Sequence, residues 1–177
     1  MTLRPILIHP DPRLKRAAEA VGEVDDATRA LIDDMLETMY DAPGIGLAAP
    51  QIGVSRRVFV MDVAGKEEPA APMALVDPEI LEASEELATY EEGCLSIPDV
   101  YEEIERPARV RLRWRDREGT LCERDFDGLA AVCVQHEIDH LDGRLFIDRL
   151  GAVKRSLITQ KMKKLKRERA KAAAAAG

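Results

Sequence analysis

The first stretch with a clear period is helical. In residues 25–42, DDATRALIDDMLETMYDA, Leu31, Met35, Leu36 and Met39 fall on one face. Asp25 or Asp26 can cap its start and Pro43-Gly44 ends it, so an amphipathic helix is predicted there. RRVFVMDV (56–63) then alternates well enough for a strand, and AGKEEPAAP (64–72) reads as a mobile loop. MALVDPEIL (73–81) reads as a strand broken by Pro78, and the acidic residues 84–92 fit either strand or loop. ARVRLRWRD (108–116) sets Val110, Leu112 and Trp114 against arginines. That predicts a half-exposed strand, turned by Arg117-Glu118-Gly119 into a hairpin with LCERDF. GLAAVCVQHEIDHL (128–141) is a largely apolar helix closed by Asp142-Gly143. Residues 151–171 read as a last helix, and AAAAAG is expected to fray. No repeat or linker divides the chain. The order helix, strands, helix, helix predicts an α+β fold, with 1–150 as one domain and 151–177 as a basic helix and alanine-rich tail.

Composition narrows the class. With 177 residues, 46% hydrophobic and 33% charged, the chain has an ordinary globular make-up and enough length to bury a core without disulfides. Its three cysteines, Cys94, Cys122 and Cys133, are too few and too odd for a disulfide framework and fit a reducing compartment. No apolar run approaches the ~20 residues of a membrane span, and MTLRPILIHPDPRLKR reads as mature protein rather than a signal peptide. The cytoplasm is the expected location. The net charge of −7 is uneven: residues 154–171 carry nine Lys or Arg against Glu168 alone, which is +8 and leaves −15 on the rest. That tail suits a polyanionic partner or, alternatively, a solvated helix with cations toward its C-terminal end.

The chemistry concentrates in QHEIDH (135–140). On a helix, His136 and His140 lie one turn apart and can aim both imidazoles at one ion. Glu137, displaced by about 100°, stands beside the ion, where a general base belongs. Two of the three histidines of the chain are here. Two ligands are not enough. Cys133 is seven residues from His140, about 10 Å along the axis, too far to share an ion. The candidate third ligand is Cys94 in EEGCLSIP (91–98), where Gly93 leaves room for a close approach and Pro98 stiffens the exit. Three ligands and one open position make a catalytic metal site; the plainer reading of Cys94 is a small buried hydrophobe, the role assigned to Cys122. GIGLAAPQIG (44–53) follows a helix and leads to a strand, the wrong context for a dinucleotide loop. Either it is a glycine-rich turn, or Gly44 and Gly46 leave the N–H and C=O of Ile45 open for β-type pairing with a peptide, with the Gln51 amide as a donor.

GIGLAAPQ (44–51), EGCLS (92–96) and QHEIDH (135–140) together resemble, in content and order, the motifs of the peptide deformylase family, and the similarity extends from HPDPRL to LFIDRL near 150. Some relatives carry Arg at the position of Tyr101. The resemblance implies an enzyme that removes the formyl group from the N-terminal methionine of new polypeptides and releases formate. It implies antiparallel sheets wrapped around a central helix carrying HExxH, with one helix toward each end of the chain. One divalent ion would be held by Cys94, His136 and His140: Fe2+ in the family, with Zn2+, Ni2+ or Co2+ able to take its place. Glu137 would act as base, and Gln51 and the Leu95 N–H as donors to the developing oxyanion. Gly44, Ile45, Gly46, Leu129, Val132 and Cys133 would bind substrate, with the methionine side chain against Ile45, Leu129, Val132 and Cys133. Asp139 is a candidate to orient a histidine, and Glu92 and Arg106 a candidate pair behind the cysteine loop. The basic tail would dock on ribosomal RNA. The rival readings are a peptidase cleaving internal bonds, a thiol hydrolase using Cys94 with His136, and a structural metal module with an RNA-binding tail.

Overall fold

A computed structural model describes all residues, Met1–Gly177. Helix α1 (Asp26–Asp41) starts where the Asp25 carboxylate accepts from the Thr28 N–H at 2.9 Å. It buries Leu31, Ile32, Met35 and Met39 along one face. Strand β1 (Gly46–Ala48), a 3-10 turn (Ala49–Ile52) and strand β2 (Val58–Met61) follow. Strand β3 (Met73–Ala83) is continuous, which corrects the expected break at Pro78. The proline, which has no N–H for the ladder, falls within a register shift, and Asp77 turns into the left-handed region at φ 48°.

Strands β4 (Leu87–Cys94) and β5 (Ile97–Pro107) form a separate two-stranded hairpin. The sequence pattern does not predict β5. Asp99, at φ 62°, shifts the parity, so the buried positions run Ile97, Val100, Ile104, Arg106 instead of alternating from the start. Strands β6 (Arg109–Arg115) and β7 (Leu121–Asp127) are the expected hairpin, with Trp114 opposite Cys122 and Val110 opposite Phe126. The larger sheet has the antiparallel order β1-β2-β3-β6-β7, so β1 is an edge.

Helix α2 (Gly128–Leu141) packs against this sheet, and every residue from Ala131 to Leu141 is buried. Helix α3 (Ala152–Ala176) buries only Ile158 and Met162. The alanine-rich end, expected to fray, continues this helix, in keeping with alanine's helix propensity. Three apolar clusters result. One joins α2 to the sheet, one joins α1 to β1 and β2, and one joins the β4–β5 hairpin to Phe146 and α3. The site lies where the three meet.

Candidate metal centre and active site

Helical spacing sets the two imidazoles together. The rings of His136 and His140 have centroids 5.0 Å apart at 66°. The His136 Nδ1 is 2.9 Å from Glu92 Oε1, and its ring stacks at 5.9 Å on Phe146, which leaves Nε2 for the site. The third donor comes from the end of β4: Cys94 Sγ is 3.4 Å from His140 Nε2. Ligand atoms of Cys94, His136 and His140 all lie within 4.8 Å of one another, and no other His, Cys, Asp or Glu joins the group. Cys133 is outside it.

The electrostatics fit a cation. Burial alone would depress the His136 pKa, but Cys94 and the Glu137 and Glu92 carboxylates outweigh it and hold it well above its usual value. The His140 pKa is pushed well below its usual value by burial and by the positive charge of His136 and Arg106. The anionic groups around this buried point call for positive charge, and a thiolate with two imidazoles is a donor set that divalent first-row metals accept.

Glu137 stands beside the three donors. Burial pushes its pKa up to about 7, with opposing pulls from His136 and Arg106 and pushes from Glu92 and Asp139. Its Oε1 is buried without a hydrogen-bond partner. The backbone of β1 runs so close that a Cβ on Gly46 would lie 2.6 Å from Glu137 Oε2 and 2.9 Å from Cys133 Sγ, so any other residue there must displace one of them. Gln51 is buried: its Oε1 accepts from the Ala48 N–H at 2.9 Å, and its Nε2 donates to Ser96 Oγ at 3.1 Å and toward Cys94 Sγ at 3.5 Å. The Leu95 N–H enters no hydrogen bond within the chain.

Behind the ligands lies a buried ion network. Arg106, 1% exposed, donates to Glu92 from Nε at 2.6 Å and from Nη2 at 2.9 Å, and to Asp139 from Nη1 at 2.9 Å. Burial disfavours the Glu92 charge, but the Arg106 and His136 hydrogen bonds outweigh it and lower its pKa. The pair expected from the sequence is therefore present, whereas Asp139 is corrected: it receives Arg106 and Arg149, and Glu92 holds His136. The orienting role of Glu92 escaped the sequence reading although it stands two residues before Cys94. Ser96, the partner of Gln51, had no signal beyond lying in the same motif.

A cavity of about 250 Å³ opens beside the donors, lined by Gly44, Ile45, Leu129, Val132, Cys133 and Tyr101 among others. Burial, then the Glu137 and Glu92 charges, push the Cys133 thiol well up, so it serves as a neutral wall. The expected opening of both Ile45 backbone groups is corrected. Its C=O accepts from the Asp62 N–H at 2.9 Å, within the sheet, while its N–H has no partner in the chain. Strand alternation then turns the Gly46 backbone toward the open edge. The exposed Tyr101 ring lies over Gly93, where a Cβ would meet it at 2.6 Å.

This geometry agrees with the comparisons. A family model described as polypeptide deformylase matches residues 3–156. The peptide deformylase of Phenylobacterium zucineum is 57% identical over 164 residues, 93% of this chain and 97% of the relative. That of Methylocella silvestris is 58% identical, covering 93% of this chain and 85% of the relative. Among solved structures, the peptide deformylase of Ehrlichia chaffeensis in complex with actinonin superposes with a TM-score of 0.90 at 40% identity, over 94% of this chain and 99% of that one. The peptide deformylase of Legionella pneumophila gives 0.88 at 44% identity, over 96% and 98%. The chain belongs to the polypeptide deformylase family.

Proposed function

We propose that this chain is a metal-dependent hydrolase that removes the formyl group from the N-terminal methionine of newly made polypeptides and releases formate. The observation that carries this reading is the convergence of Cys94, His136 and His140 beside a buried, unpartnered Glu137 oxygen at the mouth of a cavity. These three residues would hold one divalent ion, assigned as Fe2+, with Zn2+, Ni2+ or Co2+ suited to the same donors. Such an ion supplies Lewis acidity, polarising the formyl oxygen and acidifying a water.

The chain's own groups do the rest. The peptide lies along the open edge of β1, pairing with the Ile45 N–H and the Gly46 backbone, and its methionine enters the cavity against Ile45, Leu129, Val132 and Cys133. Gly44 keeps the entrance narrow, since a Cβ there would sit 2.7 Å from Leu95 Cδ1. Glu137 Oε1 takes the proton of the attacking water and returns it to the departing amine. The Leu95 N–H and Gln51 Nε2 donate to the oxygen that becomes negative; the 3.5 Å contact with Cys94 is the weaker of the two Gln51 donations and the one it gives up. A formyl carbon bears only hydrogen, so a close-walled site admits it and rejects larger acyl groups.

Residues 1–150 form the catalytic unit in this reading, and 151–177 an appendage whose exposed cations, Lys163, Lys164 and Arg167 among them, face ribosomal RNA. No helix is long and apolar enough to cross a membrane, and the three cysteines are unpaired; the cytoplasm is the assigned location. The test is formate release from a formyl-Met peptide, abolished by a chelator and restored by metal. Cleavage of internal bonds in unformylated peptides, or activity indifferent to chelation, would refute it. For the tail, Lys163→Glu, Lys164→Glu and Arg167→Glu together should weaken salt-sensitive ribosome co-sedimentation; unchanged co-sedimentation would remove that partner.

A further inference from the structure

Gln51 and Cys94 come from parts of the fold that share no ladder: β1 and β4 belong to different sheets, and no backbone hydrogen bond joins the Ala49–Ile52 turn directly to the β4–β5 hairpin. The N-terminal segment runs between them. The Leu7 N–H donates to the Gln51 C=O at 2.7 Å, and two residues later the His9 N–H donates to the Ser96 C=O at 2.9 Å. Ile6 packs on the α1 cluster and Ile8 on the hairpin and α3 cluster. One short stretch of chain is thus bonded to the residue that carries the amide and to the residue that accepts from it.

His9 carries the connection further. Its ring is buried, with Nε2 2.8 Å from Thr159 Oγ1 on α3. Thr159 Oγ1 also donates to the Arg155 C=O at 2.9 Å, an arrangement that the Nε2–H tautomer of His9 completes by donating to the hydroxyl oxygen. Burial and the neighbouring Lys15 push the His9 pKa down to about 4, so the ring is neutral and has a single N–H to donate. A second link reaches the segment from the same helix, where Lys166 Nζ lies 3.5 Å from the Ile8 C=O.

We infer that Leu7–His9 is a positioning strap that holds the Gln51 amide against Cys94 and Ser96, and that His9, bonded to Thr159, makes this placement depend on the seating of helix α3. His9 touches neither substrate nor ligand atoms; it acts through Ser96 and Gln51. The bonds it governs are sensitive ones. The 3.5 Å contact to the sulfur is an ordinary N–H···S distance, and a shift in the strap changes both the sulfur's hydrogen bonding and the aim of the amide. Hydrogen bonding to a thiolate ligand tunes its donor strength.

The inference rests on the deformylase reading, and its test separates the two. Full-length wild type, His9→Ala, Thr159→Val and His9→Gln are loaded with Co2+. They are compared by the sulfur-to-cobalt absorption band without substrate, by kcat and KM on a formyl-Met peptide, and by thermal midpoint. His9→Ala and Thr159→Val should shift the band and lower kcat about tenfold with little change in KM. His9→Gln, whose amide can still donate to Thr159, should recover most of both. A band and kcat equal to wild type in His9→Ala and Thr159→Val, with only the midpoint lowered, would reduce the strap to a structural contact and overturn the inference. A wild type that leaves the formyl peptide intact would refute the function instead, and the band, which needs no turnover, would still judge the strap.

Discussion

The metal centre has two sides that are built differently. On the α2 side, His136 and His140 are placed by one turn of helix, and burial of that helix in the core does the remaining work. On the hairpin side, Cys94 hangs from the last residue of β4, at a register shift, in a two-stranded unit outside the main sheet. Its place is held by long-range polar contacts: Arg106 and His136 on Glu92, Gln51 on Cys94 and Ser96, and His9 on Ser96. A rigid local element places ligands with few partners. A hairpin end needs a network, and the network is buried because a dry site leaves its charges no other partners.

The helix side is tested most severely at Glu137, which the helix positions but no hydrogen bond restrains at Oε1. Glu137→Ala should lower kcat by about 10²–10⁴-fold while metal content stays near that of wild type; turnover close to wild type in a metal-loaded mutant would end its role as base. Cys94→Ala tests the hairpin side. Metal analysis after dialysis should find the ion lost while the apo fold persists, because two helix ligands alone bind weakly. Retention at wild-type affinity would move the third ligand elsewhere.

Arg106→Met tests the hairpin side through stability. It leaves Glu92 and Asp139 buried with reduced compensation, so chemical denaturation should show a loss of about 3–5 kcal/mol. Arg111, paired at 3.0 Å with both Glu123 and Asp125 but on the open face of β6, provides the control, and its alanine variant should unfold like wild type. Equal losses in the two would show that burial does not set the value of these pairs. The smallest effects are at two glycines. Gly46→Ala crowds the confined Glu137 and should cost about tenfold in kcat. Gly93→Ala meets the exposed Tyr101 ring, which can swing aside, and should change kcat/KM by no more than about twofold. The reverse order would mean that the Glu137 pocket is the looser of the two.

Legibility in the sequence follows the same divide. Helix α1, helix α2 and the β6–β7 hairpin could be read because their periods and caps are local, and the 136/140 spacing is itself a piece of helix geometry. The β4–β5 hairpin was only half legible, since Asp99 breaks the alternation of β5. Asp139 lies next to His140 in the chain, yet it faces Arg106 and Arg149. Sequence neighbours on a helix point about 100° apart, so nearness along the chain says little about which carboxylate meets which ring.

By itself the sequence determined the α+β order of elements, the paired imidazoles with their neighbouring carboxylate, and the motifs whose likeness pointed to the family, because all of these are written in short spacings. The tertiary structure alone decided that Glu92 orients His136, that the Ile45 carbonyl is used inside the sheet, and that an N-terminal strap stands between Gln51 and the cysteine hairpin. These depend on segments from 17 to 87 residues apart meeting in a dry interior, where each polar group must find its partner across space.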